Sequence, residues 1–464
     1  MNHKNLSMLA LAISCLVVPR GLAIGQSPTS GAVPTQRGDP AIPESAAGKQ
    51  LAWFLGVLSA GSSRDEVGAH MAESFKQFIE PGRLATQLEY VGTTTLGGGP
   101  AVIDRLDPEP SPNRVSGLIR SEANGVVMSF WITVEEETGL IDGLSNQVLH
   151  GAGATAPKTW EELDARLEKL PGEVYVYAAE LSEDGTLRPV HVRNGGARLG
   201  TGSTFKLYVL GALTEMVMEG RASWDQPLAI RDEWKSLPSG EMHLLPAGTE
   251  RPLSEYALKM ISISDNTATD HLVMFVGRER VEAYMSRLHG EPTLNIPFLT
   301  TRELFTMKLA LDRTLAERYI AADVPTRRAM LAPDGDVGKT APNMLAAAFW
   351  KKPVWIDSIE WFCTGEECAR AIVEADRLAA LPGNEPAMRA LRTNPGIGMD
   401  RMVWKKPAFK GGSEVGVINL TWLLDRKDGR RFVLSFGWND TKSPVSDQES
   451  VEFAGAAVGI LGSE

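Results

Sequence analysis

Two pairs of strand-like segments, one on each side of a long helical middle, constrain this chain most. Val174–Leu181 and Arg188–Arg193 read as two strands joined by a turn at Glu183-Asp184-Gly185. The pattern returns at Gly416–Leu424 and Arg431–Trp438, joined at Asp425–Arg430. Between them, from about Ser203 to about Met399, the apolar spacing is helical. A last helix is expected over Asp447–Leu461 with Ser446 as its N-cap. Strands at both ends of a helical insert predict that the ends meet in one antiparallel sheet, an α+β arrangement.

That segment leaves a front part. Leu51, Phe54, Leu55 and Leu58 share one helical face, and Met71, Phe75, Phe78 and Ile79 another. Val126, Met128, Phe130, Ile132 and Val134 then alternate as a strand after an Asn124-Gly125 turn. Helices followed by a meander predict a second, smaller α+β domain. A chain of 464 residues exceeds the usual size of one domain. We expect a domain over 49–150, a link at His150–Pro157, and a larger domain over 157–464.

Met1–Ala23 has a basic start at Lys4, a short apolar run over Ser7–Val18 and a small-residue end at Gly21-Leu22-Ala23. This predicts a cleaved secretory signal over 1–23 and a periplasmic or otherwise secreted product. Residues 24–48 are rich in Pro, Gly, Ser and Ala and read as a disordered tether. Loss of Cys15 with the leader would leave Cys363 and Cys368, a pair expected to close a small disulfide loop in an oxidising compartment. The charge of −11 argues against nucleic acid as a partner. No later stretch is apolar enough for a membrane span. Seven His and three Cys offer no metal-ligand spacing, so neither a metal nor another cofactor is expected.

Ser203-Thr204-Phe205-Lys206 opens an apolar helical run, and the i, i+3 spacing returns the Lys206 amine to the face of the Ser203 hydroxyl. A serine becomes nucleophilic when a neighbouring base takes its proton, and a desolvated lysine can be that base. The helix start adds free N–H groups where an oxyanion would form. Ser264-Asp265-Asn266 interrupts an apolar segment. There Ser264 can pass a proton and the Asn266 amide can orient substrate and Lys206. Lys410-Gly411-Gly412-Ser413 is read as opening the strand that runs to Leu424. Its glycines admit a substrate close to the strand edge, and its cation would bind a carboxylate and depress the Lys206 pKa.

S-x-x-K, S-D-N and K-[ST]-G in this order resemble the penicillin-recognising serine acyltransferases, the class A β-lactamases and penicillin-binding proteins. The resemblance covers roughly Lys158–Glu464 and includes Ser262–Leu272 and Leu299–Leu309. The front domain is similar to that of a subgroup carrying a steroid-isomerase-like (NTF2-like) domain. The resemblance implies Ser203 as acylated nucleophile, Lys206 as its base and Ser264 as proton relay. It implies Asn266 and Lys410 as substrate ligands, beside Gly412, and the Ser203 and Ser413 amides as the oxyanion hole.

Two departures stand out. Gly411 replaces the family's Thr or Ser. Glu291-Pro292-Thr293-Leu294-Asn295 matches the E-P-x-L-N motif of the deacylating glutamate, but Thr300-Thr301-Arg302-Glu303 follows so soon that the loop is sharply shortened. Gly338-Lys339-Thr340-Ala341, a competing K-T motif, is followed by Pro342 without a strand pattern. Gly97-Gly98-Gly99 lacks the Lys-Ser/Thr of a phosphate cradle, and His243, His271 and His289 read as structural or surface residues. The expected activity is hydrolysis of a small-molecule β-lactam through an acyl-enzyme. The alternatives are a related esterase or peptidase, or a β-lactam sensor without turnover.

Overall fold

The computed structural model describes residues 41–464 apart from Phe78, 109–110, 150–152, Ala154, 290–292 and 344–349. The expected leader, most of the tether, Glu291 and part of the expected His150–Pro157 link lie outside the described residues. The chain divides into two compact units, one running to Ala156 with Ile397–Met402 added, the other Pro157–Gly396 with Val403–Glu464.

In the first unit, helix α1 (Ala46–Ala60) begins inside the stretch read as tether. Ser45 caps it by accepting from Gly48 N at 3.1 Å, a contact worth about 1 kcal/mol. Gly48 is required there, since a Cβ would lie 1.9 Å from Pro43 O. Leu51, Phe54, Val57 and Leu58 form the buried stripe.

Helix α2 (Arg64–His70) ends before the helical face expected over Met71–Ile79, of which only α3 (Glu73–Lys76) is helical, with Phe78 outside the described residues. The chain turns extended at Met71 and Ala72, where Ala72 N donates to Ile141 O. Helix α4 (Pro81–Tyr90) follows. Strands β1 (Ala101–Leu106), β2 (Arg114–Ser121), β3 (Val127–Val134) and β4 (Ile141–Val148) form an antiparallel meander. Met128, Phe130, Ile132 and Val134 are buried, as the alternation requires. The Ile397–Met402 strap is held by Asp400, which accepts from Arg105 twice, at 3.0 and 2.6 Å.

The second unit starts with α5 (Trp160–Leu167), β5 (Glu173–Leu181), β6 (Leu187–Arg193) and the short β7 (Leu199–Gly200). A 3₁₀ turn over Gly202–Phe205 leads into α6 (Lys206–Met218). After the small pair β8 (Pro227–Ala229) and β9 (Glu250–Pro252) come α7 (Leu253–Ser262), α8 (Asn266–Val276) and α9 (Arg278–His289). Then follow α10 (Thr301–Lys308), α11 (Thr314–Ala321), α12 (Val324–Leu331) and β10 (Phe362–Cys363). Helices α13 (Gly365–Ala379) and α14 (Glu385–Thr393) precede β11 (Ala408–Glu414), β12 (Val417–Asp425), β13 (Arg431–Asn439) and α15 (Asp447–Ser463).

The two ends do meet. The antiparallel sheet has the order β11-β12-β13-β5-β6, with Ser435 opposite Tyr177 and Val433 opposite Ala179. Helices α5 and α15 pack together on one face, and α13 covers β5, β12 and β13 from the other. Ser446 caps α15 by accepting from Glu449 N at 3.2 Å.

The strand expected to run from Lys410 to Leu424 is instead a hairpin. It reverses at Val415-Gly416, where Gly416 takes φ +88°. A side chain there would meet both Pro353 and Asp440 O, so the turn is specific to glycine. Reversal makes β11 an edge strand, and this edge lies against the 3₁₀ turn that carries Ser203.

Candidate active site

Ser203 lies in the 3₁₀ turn and Lys206 is the first residue of α6. This turn hangs on Trp361. Its carbonyl accepts from Thr201 N and from Thr201 Oγ1, both at 2.9 Å, and its ring stacks on Phe205 with centroids 3.7 Å apart. Gly202 sits at φ +48°, and a Cβ on it would lie 2.9 Å from Ser413 N. A Cβ on Gly412 would lie 2.3 Å from Ser203 N and 2.2 Å from Thr201 O. Two bare glycines thus let the strand bring the Ser413 amide beside the Ser203 amide.

The S-D-N segment joins α7 to α8. Asp265 caps α8 by accepting from Ala268 N at 2.8 Å, while its other oxygen accepts from Glu241 N at 2.6 Å and Met242 N at 2.8 Å. Between the helices Ser264 is forced to φ +58°. Such a conformation costs a non-glycine residue about 1–3 kcal/mol. It aims both the Ser264 carbonyl and hydroxyl at Lys206.

Lys206 is completely buried. Its Nζ donates to Ser264 O at 2.7 Å and Asn266 Oδ1 at 2.7 Å, and lies 3.2 Å from Ser264 Oγ. Lys410 Nζ donates to Ser264 Oγ at 3.2 Å and to the carbonyl of Gly411. Burial, and then the Lys410 charge, hold the Lys206 amine well below the usual lysine range, against the pull of Asp265 and Asp270. Burial alone pushes Lys410 down to about 7.

The geometry has a chemical consequence. A neutral Lys206 has two hydrogens for its two 2.7 Å acceptors, and its lone pair then faces Ser264 Oγ or an incoming proton. The Ser264 hydroxyl can donate to that lone pair while accepting from Lys410. Among the described residues, the hydrogen bonds of Lys206 Nζ go to Ser264 and Asn266 and none to Ser203 Oγ.

The structure therefore gathers Ser203, Lys206, Ser264, Asn266, Lys410, Gly412 and Ser413 around one place in the second unit. Gly411 stands apart. A Cβ there would lie 2.8 Å from Phe409 Cζ and 3.2 Å from Leu420 Cδ2, so the family's hydroxyl-bearing side chain has its space taken by an aromatic ring. That ring stacks on Trp422 with centroids 4.8 Å apart.

Asn295 is also engaged elsewhere. Its amide donates to Phe362 O at 2.8 Å and accepts from Phe362 N at 2.7 Å, closing both faces on β10. Lys339 of the competing motif forms a surface pair with Asp336 at 3.1 Å. His271 accepts from Arg231 N at 2.9 Å and lies 2.7 Å from Thr267 O, and His289 lies 3.0 Å from Tyr208 OH.

Cys363 and Cys368, expected as a disulfide, are two buried free thiols. Each lies by a tyrosine hydroxyl, Cys363 at 3.0 Å from Tyr208 and Cys368 at 3.7 Å from Tyr175.

Sequence reasoning did not single out Asp270. It is buried one turn beyond Asn266 and accepts from Thr301 N at 2.7 Å, Thr301 Oγ1 at 2.8 Å and Arg302 N at 2.8 Å. Burial pushes its carboxyl up to about 7 against those donors. The i+4 spacing from Asn266 was the available signal.

Among the described residues no cluster of three or more His, Cys, Asp and Glu side chains is arranged to hold a metal. Nor is any described helix long and apolar enough to cross a membrane.

Residues 158–349 match the model of the beta-lactamase enzyme family. No curated protein matches the chain. Among solved structures, it is similar to a β-lactamase from Sphaerobacter thermophilus, at 19% identity over 66% of this chain and 96% of that one, with a TM-score of 0.44. A β-lactamase from Chitinophaga pinensis is similar at 17% identity over 66% of this chain and 98% of its own, TM-score 0.45. PBP-A is similar at 16% identity over 65% and 92%, TM-score 0.43. Within the second unit, residues 158–349 are thus similar to the beta-lactamase enzyme family.

Proposed function

We propose that the second unit forms an acyl-enzyme at Ser203 and that its activity is β-lactam hydrolysis. The observation that carries this is the Lys206–Ser264–Lys410 array, its two amines buried, with Ser264 Oγ 3.2 Å from each lysine Nζ.

Neutral Lys206 takes the Ser203 proton as Oγ attacks the lactam carbonyl, and the Ser203 and Ser413 amides hold the oxyanion. One such donor is worth about 10²–10³ in rate. The proton on Lys206 passes through Ser264 to the leaving nitrogen. Lys410 binds the substrate carboxylate, a small anion suited to a cationic spot in a chain of net charge −11.

The leader of residues 1–23 makes this a secreted, periplasmic protein in our reading, and the first unit an NTF2-like domain. A chromogenic cephalosporin tests the activity: we expect turnover by the mature protein and none by Ser203→Ala. Turnover surviving in S203A would refute the assignment.

A second reading, a sensor that acylates without release, is favoured by Asn295. Its amide nitrogen and oxygen each bond the Phe362 backbone, which ties the side chain to β10. A persistent adduct with no released product would select it.

A further inference from the structure

Lys308 ends α10 with its side chain fully buried, and two carboxylates meet it there. Nζ donates to Glu360 Oε1 at 3.1 Å and to Glu414 Oε1. Side-chain exposures are 0% for Lys308, 1% for Glu360 and 6% for Glu414. Taking a cluster of ionisable groups out of water is costly, and apolar residues of the same volume often hold a core at least as well. Stability alone is thus a poor reason for this cluster.

Its place in the fold supplies another. Glu414 directly follows Ser413 on β11. Glu360 Oε2 accepts from Trp361 N at 3.0 Å, and the carbonyl of Trp361 receives both donors of Thr201, two residues before Ser203. Glu360 also packs on Gly200, where a Cβ would lie 3.0 Å from its Cγ. One arm of the cluster therefore holds the strand bearing the Ser413 amide. The other holds the turn bearing the Ser203 amide.

We propose that Lys308, Glu360 and Glu414 are positioning residues that fix the spacing of the two oxyanion-binding amides. This rests on the acylation reading of Ser203.

The protonation pattern suits such a clamp. Burial acts to lower the Lys308 pKa, but the two carboxylates outweigh it and keep the ammonium. Burial, reinforced by Glu360, drives the Glu414 carboxyl well above its usual range despite Lys308. Lys308 thus keeps its ammonium while the Glu414 carboxyl is driven toward its neutral acid form. Glutamine at position 414 reproduces the neutral acid in shape and in hydrogen bonding, whereas alanine cuts the arm.

The test is the rate constant of acylation by a penicillin, separated from the preceding binding step by stopped flow. Glu414→Ala is expected to lower the rate constant about 10–100-fold, part of the loss seen on removing a donor. Binding should change less than about threefold, and Glu414→Gln should stay within about threefold of wild type in both.

If E414A does not fold, as judged by its thermal transition, Lys308→Met in the E414Q background cuts the same link and is expected to show the same loss. Wild-type acylation rates in the cut variant, or equal impairment of E414A and E414Q, would overturn the clamp alone. A wild-type protein that never acylates would overturn the Ser203 reading and the clamp with it.

Discussion

Ser264 Oγ lies 3.2 Å from Lys206 Nζ and 3.2 Å from Lys410 Nζ, so one hydroxyl joins two buried amines. Two like charges sharing one neighbour repel each other, which helps hold Lys206 in its basic, unprotonated form.

Removal of Lys410 should be visible in the pH profile. Acylation needs neutral Lys206, so its acidic limb falls at the Lys206 pKa. Lys410→Met removes the charge that lowers this pKa, and the limb should move to higher pH. An ester substrate without a carboxylate keeps substrate binding out of the comparison. An unmoved limb would mean that Lys410 does not influence Lys206.

The same residue affects stability. Lys410 titrates near 7 when folded and near its ordinary, higher value when unfolded. Between those values the unfolded chain binds more protons, so this group's contribution rises with pH by up to about 1.4 kcal/mol per unit. The penalty of burying the cation is largest below pH 7. K410M should therefore be stabilised over wild type most strongly below pH 7, with the gap in melting temperature shrinking toward pH 10. A gap that does not change with pH would contradict the burial argument.

Asn266→Asp places a carboxylate within 2.7 Å of Lys206 Nζ if the side chain keeps its place. An ion pair there would raise the Lys206 pKa and trap the ammonium. Acylation near pH 7 should drop about 100-fold or more, with recovery at high pH, since each pKa unit is worth about a factor of ten. A loss that is the same at every pH would point to substrate contact as the main role of Asn266.

The two glycines of β11 should differ. Gly412→Ala would put its methyl against Thr201 O and Ser203 N, which are backbone atoms that cannot give way without moving the oxyanion amides. Gly411→Ala meets mainly the edge of the Phe409 ring, which can tilt. Acylation should fall about 100-fold or more in G412A and less than about tenfold in G411A. The reverse order would exclude the amide geometry inferred for Ser413.

Much of this was legible in the sequence. The strand-like runs at Val174–Leu181 and Arg431–Trp438, at opposite ends of a helical middle, announced the antiparallel sheet that β5 and β13 form. The order of Ser203, Lys206, Ser264, Asn266 and Lys410 announced the array, because i, i+3 spacing and a helix start leave few directions for those side chains. The hairpin at Val415-Gly416 was hidden, because Ala408–Asp425 shows nearly continuous strand pattern and only Gly416 marks the reversal. Asn295 was read through a local motif, but its partner Phe362 is 67 residues away. The Lys308 cluster was hidden for the same reason: Glu360 and Glu414 are 52 and 106 residues from the lysine that joins them. No local pattern records such pairings.

The intact mass of the mature protein, followed over time with a penicillin and then mapped by peptide, tests the central claim most directly. The account predicts an added mass equal to the whole penicillin, located on the peptide that contains Ser203 and absent from Ser203→Ala. No adduct, or one retained in S203A, would contradict it.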